Sequence, residues 1–289
     1  MSTQDIPATQ QQGPRPDVIY HYCSMESFIK IIENKELWLS SSTQTNDIAE
    51  CRWLFSLVVR YVQENFSNSP EDIQFANSML DMIALNSSPS YIACFSQDMD
   101  RLSQWRCYAD EGKGVAIGFK LSSFENTLIG SVDFKKFPRQ DKYYLCKVIY
   151  ANYGTVSPMI QLLIDQAKNC SDPHYDIGII FSKLRTLFKN DSFSEENEWR
   201  FAVDPYLSRK SDANIWLSTL PMEIFRTRLT AKGLSRYIAY PILGAGQPQI
   251  AEIVLGPQNP TSELDLSFFL FKNGLPLVEI GRSSSTFRG

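Results

Sequence analysis

The chain has 289 residues, 43% hydrophobic and 12% aromatic, with a formal net charge of −4 and both signs well mixed. That length supports a sizeable core, and that charge argues against non-specific nucleic-acid binding through a global positive field. No apolar run approaches the roughly 18–20 residues of a membrane span, and the opening MSTQDIPATQQQGPRP has no apolar stretch of the kind a signal peptide needs.

Residues 1–16, rich in Gln and Pro, read as a disordered lead-in, and 17–289 as a single domain. Residues 17–23 (DVIYHYC) predict a first strand. Ser24 is placed to cap a helix to about residue 34, with Met25, Phe28, Ile29 and Ile32 along one stripe. A second short strand spans 37–40, and a polar loop follows over 41–46. Asp47 is placed to cap a helix carrying Trp53, Leu54, Leu57, Val58 and Tyr61, and another helix opens at Ser69-Pro70. Together these form a helical insert near 47–88.

The stretch 91–119, YIACFSQDMDRLSQWRCYADEGKGVAIGF, reads as strand, turn, short helix, glycine turn, strand. Leu102, Trp105 and Tyr108 recur at helical spacing, so an aromatic helix is expected to fold over a hairpin-like pair of strands. Trp105 and Tyr108 read either as core or as the lining of a pocket. Further on, strands are expected at 132–134 and 143–150. Ser157-Pro158 opens a helix and a second one covers about 175–188, giving an insert near 157–189. Residues 198–203 (EWRFAV) form a strand. Shorter strands follow at 215–217, 224–229, 236–241, 250–255 and 277–280, with a helix over 264–272 stopped by Asn273-Gly274. Strands outnumber helices, the order is not a regular βαβ alternation, and no G-x-G-x-x-G follows a strand. The fold class expected is therefore α+β with a mixed, largely antiparallel sheet.

Six cysteines, at 23, 51, 94, 107, 146 and 170, form no C-x-x-C pair and match no zinc spacing. They read as thiols of a reducing, hence cytoplasmic, setting. Only two histidines exist, His21 and His174, so a multi-histidine metal site is excluded and no metal is expected. P-loop, zincin and nucleophile-elbow motifs are absent.

Four groups of residues carry candidate chemistry. His21 lies in the first strand as a hydrogen-bonded structural residue, a ligand contact or an acid–base group. Glu196, Glu198 and Arg200 alternate with Trp199 and Phe201. They make a solvated edge, or a cleft wall whose carboxylates hold sugar hydroxyls or stabilise a cationic transition state. Arg200 would then pair with Asp47, Glu50 or a phosphate. Asn46, Asp47 and Glu50 read as first-turn acids that match a helix dipole, or as a ligand-touching loop. Arg226, Arg228, Lys232 and Arg236 read as a solvated basic run, with a phosphate or RNA contact as the alternative.

YHYCS, ELWLSS, ND with Glu50, ACFSQD, QWRCYADEGKGVAIGF, ENEWRF and IVLGP, in that order, resemble the bacterial family known as domain of unknown function 2971. That resemblance runs over most of the chain and supplies no reaction. A looser resemblance is to ADP-ribosyltransferases: Tyr-His in a first strand, Ser at the end of the second, Glu-x-Glu in a late strand. It implies a split sheet with NAD as cofactor, His21 holding a ribose, Ser40 beside nicotinamide, Glu198 on the reacting ribose and Glu196 as the neighbouring acid. Tyr22, Trp105, Tyr108 and Arg200 complete the expected cofactor-binding set. Cleaving the nicotinamide–ribose bond builds oxocarbenium charge that a carboxylate stabilises without a metal. The function expected is an NAD-dependent ADP-ribosyl transfer or NAD cleavage, toxin-like or anti-phage in role, with a protein or RNA acceptor. The alternatives are a non-catalytic module that binds a nucleotide, RNA or protein, and a metal-independent nuclease using Glu198, Arg200 and His21.

Overall fold

The computed structural model of the chain describes residues 15–44, 52–66, 68–85, 88–127, 143–167, 177–178, 180–181, 184–205, 207–210, 215–230, 233–242 and 249–286. The expected lead-in before residue 15, the strand at 132–134, and Asn46, Asp47, Glu50, His174 and Lys232 lie outside them.

In chain order the elements are β1 (Val18–Cys23), α1 (Met25–Asn34), β2 (Glu36–Ser41), α2 (Trp53–Asn65), α3 (Pro70–Leu85), β3 (Tyr91–Ser96), α4 (Leu102–Tyr108) and β4 (Val115–Lys120). Then come β5 (Tyr144–Lys147), β6 (Ile149–Ala151), α5 (Tyr153–Ala167), β7 (Phe188–Asn190), β8 (Glu198–Val203), β9 (Leu207–Lys210) and β10 (Ile215–Ser218). The last are β11 (Phe225–Thr230), β12 (Gly233–Pro241), β13 (Ile250–Leu255), α6 (Glu263–Lys272) and β14 (Glu279–Arg282). Among the described residues ten strands make one sheet, antiparallel throughout except where β14 joins β13 in parallel. The α+β class with a mixed, largely antiparallel sheet is what the pattern of strands predicts.

Alternation sorts the side chains onto two faces. Ile19 and Cys23 of β1, Tyr91, Ala93 and Phe95 of β3, and Trp199, Phe201 and Val203 of β8 face one core. Phe28, Ile31 and Ile32 of α1 and Leu266 and Leu270 of α6 close it. On the other face Ile92, Tyr144, Cys146 and Ala202 pack under α2, α3 and α5. Tyr20 and Tyr22 also point that way, against Trp105 of α4. Ser24 caps α1 as its position predicts, accepting from the Ser27 N–H, and Lys35 ends the helix in the left-handed region at φ 56°.

Several local expectations change. β3 and β4 do not form a hairpin: β1 lies between them, paired with β4 along its whole length and with β3 at Tyr20–Ser96. The connection between the two holds a whole helix, which leaves room for a strand to enter. α2 begins at Trp53, with no side-chain cap. α5 begins at Tyr153, a turn before the expected start, because Asn152 offers its Oδ1 to the Thr155 N–H at 3.2 Å. Pro158 therefore sits inside the helix, where it forgoes one internal bond. Phe188 opens β7, which pairs in parallel with β6, so no helix reaches 188.

The feature that positions the candidate site is on β3. β8 pairs with all six of its residues along one edge. The opposite edge is shared, with β2 held at Tyr91 and Ile92 and β1 held at Ser96. Between these points the two strands part, and the sheet is split.

Candidate functional site

Two polar clusters fall on this sheet. The first grows from β8, which lies between β3 and β5, so its alternating Glu198 and Arg200 are buried (4% and 0% exposed) rather than solvated. A charge in that position needs partners. Arg200 donates Nε to Glu198 Oε1 at 2.8 Å, Nη2 to Oε2 at 3.2 Å, and Nη1 to the Thr186 carbonyl at 2.9 Å. Lys189, the middle residue of β7, donates to Glu198 Oε2 at 3.2 Å and also to Glu196. The Tyr108 hydroxyl donates to Glu196 at 3.1 Å, and the Glu198 N–H donates to the Tyr150 hydroxyl at 2.9 Å. Burial alone would raise the Glu198 pKa; Arg200 and Lys189 reverse that and hold it at about 2. Burial pushes Glu196 above the usual carboxylate range, against the pull of Lys189. Two anions and two cations thus neutralise each other. Arg200 finds its partner two residues away on its own strand, not in Asp47 or Glu50.

The second cluster surrounds the split. His21 Nδ1 lies 2.9 Å from the Cys94 carbonyl. A carbonyl can only accept, so Nδ1 carries the hydrogen, and in the neutral ring Nε2 is left as an acceptor. Burial lowers the His21 pKa below 6.5, and the Arg228 charge lowers it further. The ring rests against Phe95, centroids 5.7 Å apart, yet the residue keeps some exposure. On β2 the Ser40 hydroxyl accepts from Arg228 Nη2 at 2.8 Å. The Arg228 guanidinium lies 5.2 Å from the Trp38 ring centroid and 5.5 Å from that of Tyr237. Cross-strand pairs explain the gathering: Arg228 opposes Ser235 and Tyr237 opposes Ser40, so the side chains share one face. Arg226 instead projects to solvent as a bidentate partner of Glu36, at 2.7 and 2.9 Å. The expectation of a solvated basic run holds for Arg226 and fails for Arg228.

His21 and Glu198 do not share one face of the sheet. Tyr20 opposes Ser96 and Ser96 opposes Glu198, while Ser40 opposes Ile92 and Ile92 opposes Ala202, so Tyr20, Ser40 and Glu198 share one face, with Tyr237 and Arg228 beside Ser40, and His21 lies on the other. The expected pairing of His21 with Glu198 across one cleft is therefore corrected. Tyr22 and Trp105 are also core rather than pocket. Their rings meet edge-on at 4.7 Å, and Tyr22 donates to the Asp98 carbonyl. Trp105 is fully buried, with Nε1 donating to Asp100 at 2.7 Å. Asp100 further accepts from the hydroxyls of Ser283, Ser284 and Ser285, which pins the C-terminal segment. An open cleft of about 680 Å³ beside it is lined by Tyr20, Gln97, Asp98, Arg101 and Ser285 among others. Lys189, Tyr150 and the placement of Arg228 escape sequence reasoning. Among the described residues no group of three or more His, Cys, Asp or Glu side chains is arranged to hold a metal, and no helix is long and apolar enough to cross a membrane.

Comparison with known proteins gives one family. The model of the family described as protein of unknown function (DUF2971) matches residues 104–201, so the resemblance noted from the motifs is carried by a direct match over this stretch. It runs from α4 to β8 and includes the ion cluster; His21, Ser40 and Arg228 lie outside it. No curated protein and no solved structure matches the chain.

Proposed function

We propose that the protein is a binding module for a nucleotide, with NAD as the candidate ligand, seated in the split of the sheet. The observation that carries this reading is the parting of β1 and β2 on one edge of β3, with His21 and Ser40 at its lips. A neutral imidazole presenting Nε2 as an acceptor suits a sugar hydroxyl. Trp38 and Tyr237 offer aromatic surface beside Ser40 and Arg228. The glutamate that an ADP-ribosyl transfer needs is not at hand, since Glu198 is spent on Arg200 and Lys189 on the opposite face from His21. The same placement weighs against a nuclease that uses Glu198, Arg200 and His21 together. A cytoplasmic setting, expected from the cysteine usage, belongs to this proposal.

The test is calorimetric titration of the full chain with NAD, with nicotinamide release followed in parallel. The expected result is binding without release, and affinity reduced tenfold or more in Ser40→Val. Release of nicotinamide would overturn the binding-module reading in favour of NAD cleavage, the activity a toxin-like or anti-phage effector would use. Unchanged affinity in Ser40→Val would overturn the placement in the split.

A further inference from the structure

We infer that Arg228 is the seat of a phosphate or pyrophosphate group, so that the split selects phosphorylated ligands over free nucleosides. The inference rests on the nucleotide reading for the rest of the ligand and on the Arg228 surroundings for the anion itself.

Arg228 is half-buried on β11. Among the described residues no carboxylate pairs with it, unlike Arg200 on Glu198 and Arg226 on Glu36. The rings of Trp38 and Tyr237 attract the guanidinium charge. That contact leaves the in-plane N–H donors to be satisfied separately. Ser40 takes one of them. The Nε hydrogen is buried and unpartnered, and so is Trp38 Nε1. Two buried donors without acceptors, beside a half-buried positive charge, are costly to keep in an empty site. An acceptor with several oxygens and negative charge satisfies them together, and the planar fork of arginine suits phosphate oxygens. The surroundings favour an anion rather than a carbonyl. Burial destabilises the guanidinium charge, and no ion pair among the described residues offsets it, whereas Arg200 and Arg226 each have one.

The test compares inorganic pyrophosphate, ADP-ribose, NAD and adenosine on the full chain, in wild type and in Arg228→Gln and Arg228→Lys, with circular dichroism as the control for folding. Loss of a charge-assisted pair predicts affinity for pyrophosphate, ADP-ribose and NAD lower by roughly tenfold to a hundredfold in Arg228→Gln. Arg228→Lys should recover part of the loss, and adenosine binding should not respond. Pyrophosphate should also raise the thermal midpoint of wild type and not that of Arg228→Gln. NAD binding that survives Arg228→Gln overturns the phosphate seat and leaves the nucleotide reading standing. Pyrophosphate binding that depends on Arg228, with NAD binding no tighter than pyrophosphate, supports the seat and overturns the nucleotide reading. Failure of wild type to bind pyrophosphate, ADP-ribose or NAD overturns the seat.

Discussion

The same residue types serve two opposite ends on this sheet. Around Glu198 an arginine, a lysine and two carboxylates are closed off from water, and every charge has a counterpart within the chain. Around Ser40 an arginine sits half-open over two aromatic rings, with donors that the described residues leave unused. Burial alone does not separate a structural charge from a functional one. What separates them is whether the chain itself completes the pairing. The ion cluster holds β8 to the segment around Lys189, and the split keeps its capacity for something that arrives from outside.

The largest effect expected from this contrast is on stability. Glu198→Gln keeps the shape and removes the charge that Arg200 and Lys189 share. Breaking one partner out of a buried ion pair typically costs about 3–5 kcal/mol, which urea unfolding would measure. A cost near zero would mean the cluster is not holding the fold, and the comparison would fail at its firmer end. Acid provides the same break without a mutation. The folded-state pKa of Glu198, about 2, lies below its ordinary 4.5. Its contribution is therefore fully present above pH 4.5 and is lost as pH falls from there toward 2. Asp100 adds to the loss between 3.8 and about 2, because burial is outweighed there by donors from Ser283, Trp105 and Ser284. The urea midpoint should fall across that window in wild type and fall less steeply in Glu198→Gln.

A smaller effect is expected at the rim of the cluster. Tyr108→Phe keeps the ring and deletes one hydrogen bond to Glu196. A loss of about 1 kcal/mol is expected, with no change in NAD affinity. A change in affinity without a change in stability would move the binding site to this cluster and reverse the assignment of the two clusters.

Elements and faces were legible where local pattern decides them. The stripe of Phe28 and Ile32, the Ser24 cap and the alternation in EWRFAV are each settled by neighbours within one turn or one strand. What could not be read is register between distant strands. His21 and Glu198 are 177 positions apart by their numbers, 198 − 21, and a shift of one residue in pairing moves a side chain to the other face. Spacing along the chain carries no trace of that choice. Arg228 was hidden for the same reason, because its meaning depends on Ser40, which reaches it through the β2–β12–β11 pairing. Lys189 was hidden by its place just before a loop, where a lysine is ordinarily solvated. The acidic strand itself drew attention correctly, and for the wrong purpose: carboxylates in an apolar strand mark either chemistry or a buried counter-charge, and Arg200 two residues on was the sign of the second.

The smallest stability effect expected is the one that most sharpens the contrast. Arg228→Met preserves length and apolar contact with Trp38 and Tyr237 while removing the guanidinium. If the split is a binding site kept at some cost to the empty protein, removing a desolvated and partly unpaired cation should leave stability within about 0.5 kcal/mol of wild type or raise it slightly. A loss of 3 kcal/mol or more, as expected at Glu198, would instead make Arg228 a second structural charge. The cation–π contact sets the size of any loss, since about 0.5–1 kcal/mol is forfeited with the charge. Relief of the unpaired Nε hydrogen offsets a loss of that size. The two substitutions read on one urea scale therefore test the distinction directly: one large and one near zero keeps it, and two of equal size removes it.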